Sequence, residues 1–415
     1  MLNKPYTTIA SCRICGSTHL LPVLSLGTQH LTGVFPKEKD EAVPKGPLDL
    51  VRCAGSVSSC GLVQLRHSFN SEQLYGPTYG YRSGLNSSMV GHLEALAGEG
   101  SKAVHLNSGD IVLDIGSNDG TLLSMFPHDC LRVGVDPLYA KFKQFYDTMI
   151  TGIPEFFSAD VIDDYFPGRR VKLITSIAMF YDLENPLGFV IDISKVLSED
   201  GIWIFEQSYL PAMLDTTSYD TICHEHLEYY SLRQIKWLLD KAGLFIADVS
   251  FNRANGGSFR VTAAKTSAAI NHSNLEAAFK VEELAGLDHA DTYSIFASRV
   301  EHHRAGLTGL ISDLVRGGEV VVGYGASTKG NVILQYCGFS EELIPYIAEV
   351  NPDKFGSYTP GTCIPIVPEV EARQRRPDYY LVLPWHFRDN ILRKERASGE
   401  GASRLIFPLP SIEIV

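Results

Sequence analysis

The stretch IVLDIGSNDGT, residues 111–121, decides the fold of this chain. Residues 111–115 form an apolar run that predicts a buried strand, and a turn containing Gly116 and Gly120 follows it. Glycines permit a tight turn and let a ligand approach the backbone. The spacing is D-x-G-x-x-x-G, which differs from the G-x-G-x-x-G of dinucleotide sites, and no G-K-[ST] follows. The stretch therefore predicts a cofactor loop in a doubly wound α/β domain that is neither a dinucleotide site nor a P-loop.

A second acidic residue indicates which cofactor this loop binds. Asp136 closes the next apolar run, where its carboxylate can accept hydrogen bonds from both hydroxyls of a ribose. The loop, followed by Asp136 at the end of the next strand, is similar to the cofactor-binding motifs of class I methyltransferases. S-adenosylmethionine is therefore the expected cofactor. Its adenine is expected near residues 155–160, and residues 176–180 are expected to flank its reacting end. The predicted cofactor-binding residues are Asp114, Gly116, Asn118, Asp119, Gly120, Asp136, Pro137, Glu155, Ser176 and Met179.

Apolar runs and helical segments alternate along the chain beyond this loop. The runs lie at 131–136, 172–177 and 201–207, with helical segments at 122–125, 140–146 and 186–197. This alternation indicates a parallel sheet covered by helices on both faces. Residues 245–251 and 258–265 are expected to pair as antiparallel strands through Asn255-Gly256-Gly257. Ser231 and Gln234 predict a capping box at the start of a helix that ends near Lys241.

A second strand and helix series follows a long amphipathic helical stretch predicted at roughly 275–316. Its apolar runs lie at 319–327, 343–350, 379–385 and 404–410. The predicted fold class is α/β, with a class I methyltransferase Rossmann-like domain between a small N-terminal zinc-binding domain and a C-terminal Rossmann-like α/β domain. The predicted boundaries are 1–68 for the zinc-binding domain, 69–270 for the methyltransferase domain and 271–415 for the C-terminal α/β domain.

Composition narrows the class of partner. The 415 residues carry a formal net charge of −12, which disfavours nucleic acid as a partner. The N-terminus has no apolar region typical of a signal peptide, and no run of 18 apolar residues occurs, so we expect no contact with a membrane. We expect a cytoplasmic protein with reduced thiols, acting as a monomer or weak homodimer on a small molecule.

Four of the eight cysteines cluster near the start of the chain. Cys12 and Cys15 have the C-x-x-C spacing that lets two thiolates bind one ion from a tight turn, and Cys53 and Cys60 supply a second pair. Four thiolates suit tetrahedral zinc, and a site with four protein ligands has no open position for substrate. The sequence therefore predicts a structural zinc ion in a segment too polar to bury a large core alone.

Residues 219–230, YDTICHEHLEYY, contain the side chains best suited to proton transfer. Methyl transfer to carbon or oxygen requires removal of a proton, and histidine titrates near neutrality. The spacing is not H-E-x-x-H, which argues against a metalloprotease. The residues alone do not choose between His224 and His226 as the base, and the neighbouring carboxylate Glu225 is expected to orient the imidazole.

The motifs together resemble one family. Its members share the four cysteines, the Asp114–Thr121 loop, Glu225-His226, residues 255–258 and the stretch GYGASTKG at 323–330 in this order. They are the nucleotide-sugar C-methyltransferases, typified by the sugar 3-C-methyltransferases of deoxysugar biosynthesis. The resemblance implies a nucleotide-linked 4-keto-6-deoxy sugar as substrate, bound through dTDP or GDP between the last two domains.

The resemblance also implies roles for individual residues. His226 matches the base that removes the proton next to the ketone, Glu225 its acidic neighbour, and Tyr79 or Tyr81 an active-site tyrosine. Lys329 is expected to meet a diphosphate at a helix N-terminus. The residues expected to contact the substrate are Asn255, Gly256, Tyr324, Ser327, Lys329, Asn351, Trp385 and His386.

Three positions depart from the family pattern. Cys223 stands where the family has a tyrosine, Tyr181 stands where it has a histidine, and His386 stands where it has an asparagine. Because the base is kept while its surroundings change, the sugar, the nucleotide and the methylated carbon stay open. Two alternatives also stay open: methylation of oxygen or nitrogen on another small metabolite, and a scaffold or sensor that binds S-adenosylmethionine without turnover.

Overall fold

The N-terminal domain is a small antiparallel structure. In this computed structural model the described residues are 5–56, 59–70, 74, 81–267, 270–398 and 403–415. The first strands are β1 (Tyr6–Thr8), β2 (Leu20–His30), β3 (Lys45–Cys53), β4 (Val63–Leu65) and β5 (His67–Phe69). Strands β2, β3 and β4 pair in this order, and β1 pairs with β5. The predicted Tyr79 lies outside the described residues.

The central domain contains the cofactor loop predicted from the sequence. Its elements are α1 (Ser87–Val104), β6 (Ile111–Ile115), β7 (Leu131–Val135), α2 (Tyr139–Phe142), β8 (Ile150–Ile153), α3 (Ala159–Tyr165), β9 (Val171–Ile177), α4 (Pro186–Val196), β10 (Leu197–Ser208), α5 (Leu210–Thr216), β11 (Glu228–Tyr229), α6 (Leu232–Lys241), β12 (Phe245–Asn252) and β13 (Ser258–Ala264). The sheet order is β12-β13-β10-β9-β6-β7-β8, in which β13 is antiparallel to both of its neighbours. The predicted hairpin and the capping box of α6 are confirmed.

The C-terminal domain contains a second parallel sheet. Its elements are α7 (His272–Leu284), α8 (Ala290–Arg316), β14 (Val321–Tyr324), α9 (Thr328–Cys337), β15 (Ile347–Glu349), β16 (Ile366–Pro368), α10 (Glu369–Gln374), β17 (Tyr379–Val382), α11 (Arg388–Ser398), β18 (Arg404–Phe407) and β19 (Glu413–Ile414). The order is β16-β15-β14-β17-β18-β19, and only β19 in this sheet is antiparallel to its neighbour. In both α/β domains, the loops at the carboxyl ends of the parallel strands are the expected ligand-binding loops, since ligands bind at this edge in such folds.

Several predicted elements differ from the observed ones. The helical stretch predicted at 275–316 consists of two helices, α7 and α8, joined by a turn in which Gly286 has a φ of 64°. A left-handed residue cannot continue a right-handed helix. The helix predicted at 122–125 is a 3₁₀ turn at Leu123–Met125. The short strands β8 and β16 were not predicted, since each has only three or four residues and no long apolar run.

Strand β11 joins the central domain to the N-terminal sheet. Glu228 pairs with Gln64 and Tyr229 with Val63 in antiparallel register, and the Leu65 N–H donates to the Leu227 carbonyl at 2.8 Å. Since β11 begins two residues after His226, the N-terminal sheet fixes the backbone of the segment predicted to be catalytic. No described helix is both long and apolar enough to cross a membrane.

A buried carboxyl lies at this junction. Glu228 is 2% exposed, and Arg13 Nε lies 3.6 Å from its Oε1. Within the described part of the chain, neither side-chain oxygen of Glu228 has a hydrogen-bond partner. Burial raises the pKa of Glu228 well above its ordinary value, and the nearby Arg13 opposes this shift only in part. The neutral form of this side chain therefore fits its surroundings best.

We predict that Glu228→Gln raises the free energy of unfolding at pH 8 by about 1–3 kcal/mol, since a buried charge with imperfect partners costs more than a neutral amide. The folded protein holds the Glu228 proton more tightly than the unfolded chain does. The free energy of unfolding of the parent therefore falls as the pH rises above 4.5. The variant does not show this loss, because glutamine does not titrate. Denaturant unfolding of both proteins at pH 6 and pH 8 measures the difference, which should grow with pH. A variant less stable than its parent at pH 8 would show that the pairing with Arg13 outweighs burial.

Candidate active site

One cavity of about 560 Å³ lies where the three domains meet. The central domain contributes the loop after β6 and the segment around His226, and the C-terminal domain contributes the start of α9. The N-terminal domain contributes Gly33 and Phe35. A single space therefore reaches from the predicted cofactor loop to the predicted nucleotide side.

The loop after β6 has the conformation that its glycines allow. Gly116 and Gly120 have φ values of 72° and 74°, and a Cβ on Gly116 would lie 3.2 Å from Met179. Asp114, at the end of β6, accepts a hydrogen bond from the Thr175 hydroxyl at 2.7 Å. Burial raises the pKa of Asp114 to about 7. Because the two glycines have no side chains, a ligand can approach the backbone of this loop next to the buried carboxyl of Asp114.

Asp136 closes the cofactor side of the cavity. Its two carboxylate oxygens accept the N–H groups of Asn118 at 2.8 Å and Leu138 at 2.7 Å. Each carboxylate oxygen can accept more than one hydrogen bond, so these contacts leave capacity for two hydroxyls. Asp136 also lines the cavity, which is consistent with the predicted ribose contact.

Asn118 and Asp119 hold a neighbouring segment. The Asn118 Oδ1 accepts the Ser83 N–H at 3.1 Å, and the Asp119 Oδ2 accepts the Gly84 N–H at 2.9 Å. Asn118 lines the cavity, whereas Asp119 and Gly120 lie outside its lining. These side chains therefore anchor the segment that brings Tyr81 to the cavity.

Most residues predicted at the reacting end reach the cavity. Pro137, Glu155 and Met179 line it, but Ser176 does not. Ser176 points into the core instead, where its hydroxyl accepts a hydrogen bond from the Trp203 indole at 2.9 Å. The turn that follows β9 provides this wall, with Ala178 at a φ of 54°.

His226 is oriented by one backbone contact. Its Nδ1 lies 2.8 Å from the Thr221 carbonyl oxygen, and since a carbonyl can only accept, Nδ1 carries the proton. The Nε2 lone pair is then available to accept a proton. Burial, together with the positive charge of Lys329, lowers the pKa of His226 to about 3, so the ring is neutral. The Tyr181 ring packs beside it with centroids 4.3 Å apart.

Glu225 lies close to His226 without orienting it through Nδ1. A Cβ on Gly33 would clash with its Oε1, so the absence of a side chain at Gly33 makes room for this carboxyl. Burial raises the pKa of Glu225 to about 7. One ligand atom each of Cys223, Glu225 and His226 lies within 4.8 Å of the others, a set of donors that could also hold a metal ion.

The two histidines of this segment have different surroundings. His224 packs edge-on against Phe69, and its Nε2 lies 3.3 Å from the Gly46 carbonyl oxygen. Burial lowers the pKa of His224 to about 4. His224 lies outside the lining of the cavity, whereas His226, Tyr81 and Tyr181 belong to it.

The predicted substrate residues fall into two groups. Asn255, Ser327, Lys329 and His386 line the cavity, whereas Gly256, Tyr324, Asn351 and Trp385 are not part of its lining. Ser327 caps α9 by accepting the Gly330 N–H at 3.0 Å. Trp385 donates its indole N–H to Asp220 at 2.8 Å, and the Tyr324 hydroxyl accepts from Lys394 at 3.2 Å. The second group therefore supports the wall from outside.

Sequence reasoning missed several lining residues. Glu206 lies near the end of β10 and binds His92 at 2.5 Å and Arg260 at 2.9 Å. Its place at the carboxyl end of a parallel strand was the available signal. Lys354 follows β15 and donates to the Ala326 carbonyl at 2.7 Å. Gly33 and Phe35 come from the N-terminal domain, and no local pattern marks them.

The four N-terminal cysteines form a compact cluster. The Sγ atoms of Cys12 and Cys60 are 3.6 Å apart, and those of Cys15 and Cys53 are 3.5 Å apart. All four sulfur atoms lie within 4.8 Å of one another. Zinc bonded to four thiolates at about 2.3 Å holds the sulfur atoms about 3.8 Å apart. The cluster therefore fits one tetrahedral zinc ion, which would close the site completely.

Three sequence models of protein families match the chain in succession. They describe a zinc binding domain at residues 12–75, a methyltransferase domain at residues 89–249 and a C-methyltransferase C-terminal domain at residues 253–410. The C-methyltransferase NovU of Streptomyces niveus is 32% identical over 414 residues, which cover 98% of this chain and 97% of NovU.

Solved structures are similar to part of the chain. An S-adenosylmethionine-dependent methyltransferase from Clostridium acetobutylicum matches 42% of this chain and 91% of its own, with 13% identity and a TM-score of 0.34. LepI in complex with S-adenosylmethionine matches 44% of this chain and 53% of its own, with 12% identity and a TM-score of 0.33.

We predict that the purified protein contains one zinc ion per chain and that Cys60→Ser loses it. Elemental analysis measures the content, and limited proteolysis should show that the variant opens first in the N-terminal domain, because a metal-bound domain folds with its metal. Cys363→Ser is the matched control, since Cys363 is a free thiol outside the cluster. A parent protein without zinc would contradict this prediction.

We predict that Asp136→Ala weakens binding of S-adenosylmethionine by roughly 1.5–3 kcal/mol, the usual worth of hydrogen bonds to a charged group. Asp136→Asn should lose less, since the amide keeps one carbonyl oxygen as an acceptor. Isothermal calorimetry gives both affinities. An unchanged affinity in Asp136→Ala would mean that the ribose lies elsewhere.

Proposed function

The chain belongs to the family of S-adenosylmethionine-dependent C-methyltransferases, and we propose that it methylates the carbon next to the ketone of a nucleotide-linked 4-keto-6-deoxy sugar. One observation carries this proposal. The neutral His226, with its Nε2 lone pair available, lies in the same cavity as the cofactor loop and the start of α9. A base between a methyl donor and a nucleotide-binding domain suits carbon methylation of a nucleotide sugar.

Carbon methylation needs a base more than oxygen or nitrogen methylation of an exposed group does. A C–H bond next to a ketone is weakly acidic only because the carbonyl can take up the charge as an enolate. S-adenosylmethionine, when bound, supplies an electrophilic methyl group at its sulfonium. The chain's own task is to position the sugar, take the proton on His226 Nε2 and exclude water from the enolate. In this proposal the methylated carbon is C3.

The nucleotide is proposed to lie along the C-terminal wall. The start of α9 presents unpaired backbone N–H groups and the positive end of the helix dipole toward the cavity, which favours a diphosphate. Ser327, Lys329 and Lys354 line the cavity on this side. Asn255 and His386 then flank the sugar in the proposed complex.

Product analysis tests the proposed function. The protein is incubated with labelled S-adenosylmethionine and, in turn, with dTDP-, GDP-, UDP- and CDP-linked 4-keto-6-deoxy sugars. Transfer of label and a new methyl singlet on a quaternary carbon in the NMR spectrum are expected with one of them. A product with an O-methyl resonance would replace the proposal by oxygen methylation, and no transfer to any keto sugar would refute it.

We predict that His226→Ala lowers turnover about 10²- to 10⁴-fold, the usual effect of removing a general base, and leaves cofactor affinity unchanged. The variant should also stop solvent deuterium from entering the carbon next to the ketone, because this exchange reports proton removal alone. Mass spectrometry of the recovered sugar measures it.

His224→Ala is the matched control for this prediction. The two histidines are two residues apart, but His224 is buried whereas His226 is half-buried and lines the cavity. The control should keep exchange at the parent's rate, apart from any loss of stability. If His224→Ala stops exchange while His226→Ala preserves it, the base is assigned to the wrong residue.

A further inference from the structure

Lys329 is a half-buried cation in the cavity wall, where a backbone carbonyl holds its side chain. It is the second residue of α9, and its Nζ donates to the Asn255 carbonyl oxygen at 2.9 Å. An ammonium carries three N–H groups, so this contact leaves two for other acceptors. Lys329 lines the cavity together with His226 and His386. It is therefore a fixed donor with remaining capacity inside the site.

The charge of Lys329 acts directly on the base. Next to burial, the positive charge of Lys329 is the main cause that lowers the pKa of His226 and of His386. Asp220 faces the same ammonium with opposite charge. Asp220 and Thr221, which anchors His226, belong to one 3₁₀ turn, and Trp385 holds this turn through its bond to Asp220. One turn therefore carries both the backbone carbonyl that orients His226 and the carboxyl that faces Lys329.

A negative charge must develop close to this base. When a base removes a proton next to a ketone, the electron pair moves onto the carbonyl oxygen, and a fixed donor at that oxygen lowers the barrier. We propose that Lys329 is the catalytic residue that binds the ketone oxygen of the sugar and stabilises the enolate. This assignment rests on the proposed function and gives Lys329 a different role from that of a diphosphate ligand.

The step balances without any further reactant. The C–H bond next to the ketone breaks, and its proton passes to Nε2 of His226. The electron pair of that bond becomes the new C=C bond, and the carbonyl π pair becomes the charge on the enolate oxygen. Lys329 keeps its proton and shares it in a hydrogen bond with that oxygen. An ammonium in a cavity wall is more effective here than in bulk water, since less solvent screens it.

Lys354 is a matched control within the same cavity. It is also a half-buried, cavity-lining lysine, and its Nζ donates to one backbone carbonyl, that of Ala326, at 2.7 Å. Its charged neighbours are Glu349 and Asp353, and its ammonium lies 4.6 Å from the centre of the Phe35 ring. Lys354 is thus equal to Lys329 in type and burial but belongs to a different set of charges. It is suited to bind the nucleotide part of the substrate.

The experiment separates binding from proton removal. Parent, Lys329→Met, Lys329→Arg and Lys354→Met are incubated in deuterium oxide with the dTDP-linked 4-keto-6-deoxy sugar, or with the GDP-, UDP- or CDP-linked sugar if that is the one methylated. The incubation is done without cofactor and with S-adenosylhomocysteine. Exchange at saturating sugar, sugar affinity by calorimetry, and kcat and KM in the complete reaction are measured. Cofactor affinity monitors folding, and Lys329→Gln replaces Lys329→Met if the latter does not bind cofactor.

Lys329→Met should lower exchange and kcat about 100-fold or more, the usual effect of losing an oxyanion donor, with sugar affinity changed less than about 3-fold. Lys329→Arg should recover part of the rate. Lys354→Met should raise KM while exchange at saturation stays within about 3-fold of the parent's value.

Two different results would overturn the assignment. If the parent exchanges but Lys329→Met changes only KM and sugar affinity, Lys329 binds the diphosphate and the assignment alone fails. If the parent neither exchanges nor methylates any of the keto sugars tested, the proposed function fails and the assignment fails with it.

Discussion

The pairing of β11 with β4 is the constraint on which the active site depends. Two residue pairs and the contact between Leu65 and Leu227 attach the segment after His226 to the N-terminal sheet. Strand β3 of the same sheet ends at Cys53, and Cys60 lies shortly before β4. The metal cluster therefore stabilises the sheet that pairs with the segment after His226. A small domain with little core of its own thereby supports the backbone next to the proposed base.

Burial of polar groups gives the site its chemistry. Burial is the largest cause that raises the pKa values of Asp114 and Glu225 and lowers those of His226 and Lys329. Groups that are all shifted toward their neutral forms collect around one cavity, which is typical of functional sites. A neutral histidine with its donor nitrogen already engaged is ready to accept a proton.

Each domain contributes something that the others lack. The central domain provides the loop and the proposed base, the C-terminal domain provides a helix N-terminus and two lysines, and the N-terminal domain provides Gly33, which makes room for Glu225. The division explains why a methyltransferase domain alone would be an incomplete site. The base would lose its backbone support and the cavity would lose two of its walls.

The sequence by itself determined the features that depend on local pattern. The turn at Gly116, the position of Asp136 and the four cysteines follow from spacing within short segments, because such motifs carry their own geometry. The tertiary structure decided the rest. His224 and His226 have the same chemistry two residues apart, and only packing against Phe69 or alignment on the Thr221 carbonyl distinguishes them. Lys354 and Gly33 reach the cavity from distant parts of the chain, so no local pattern could place them there.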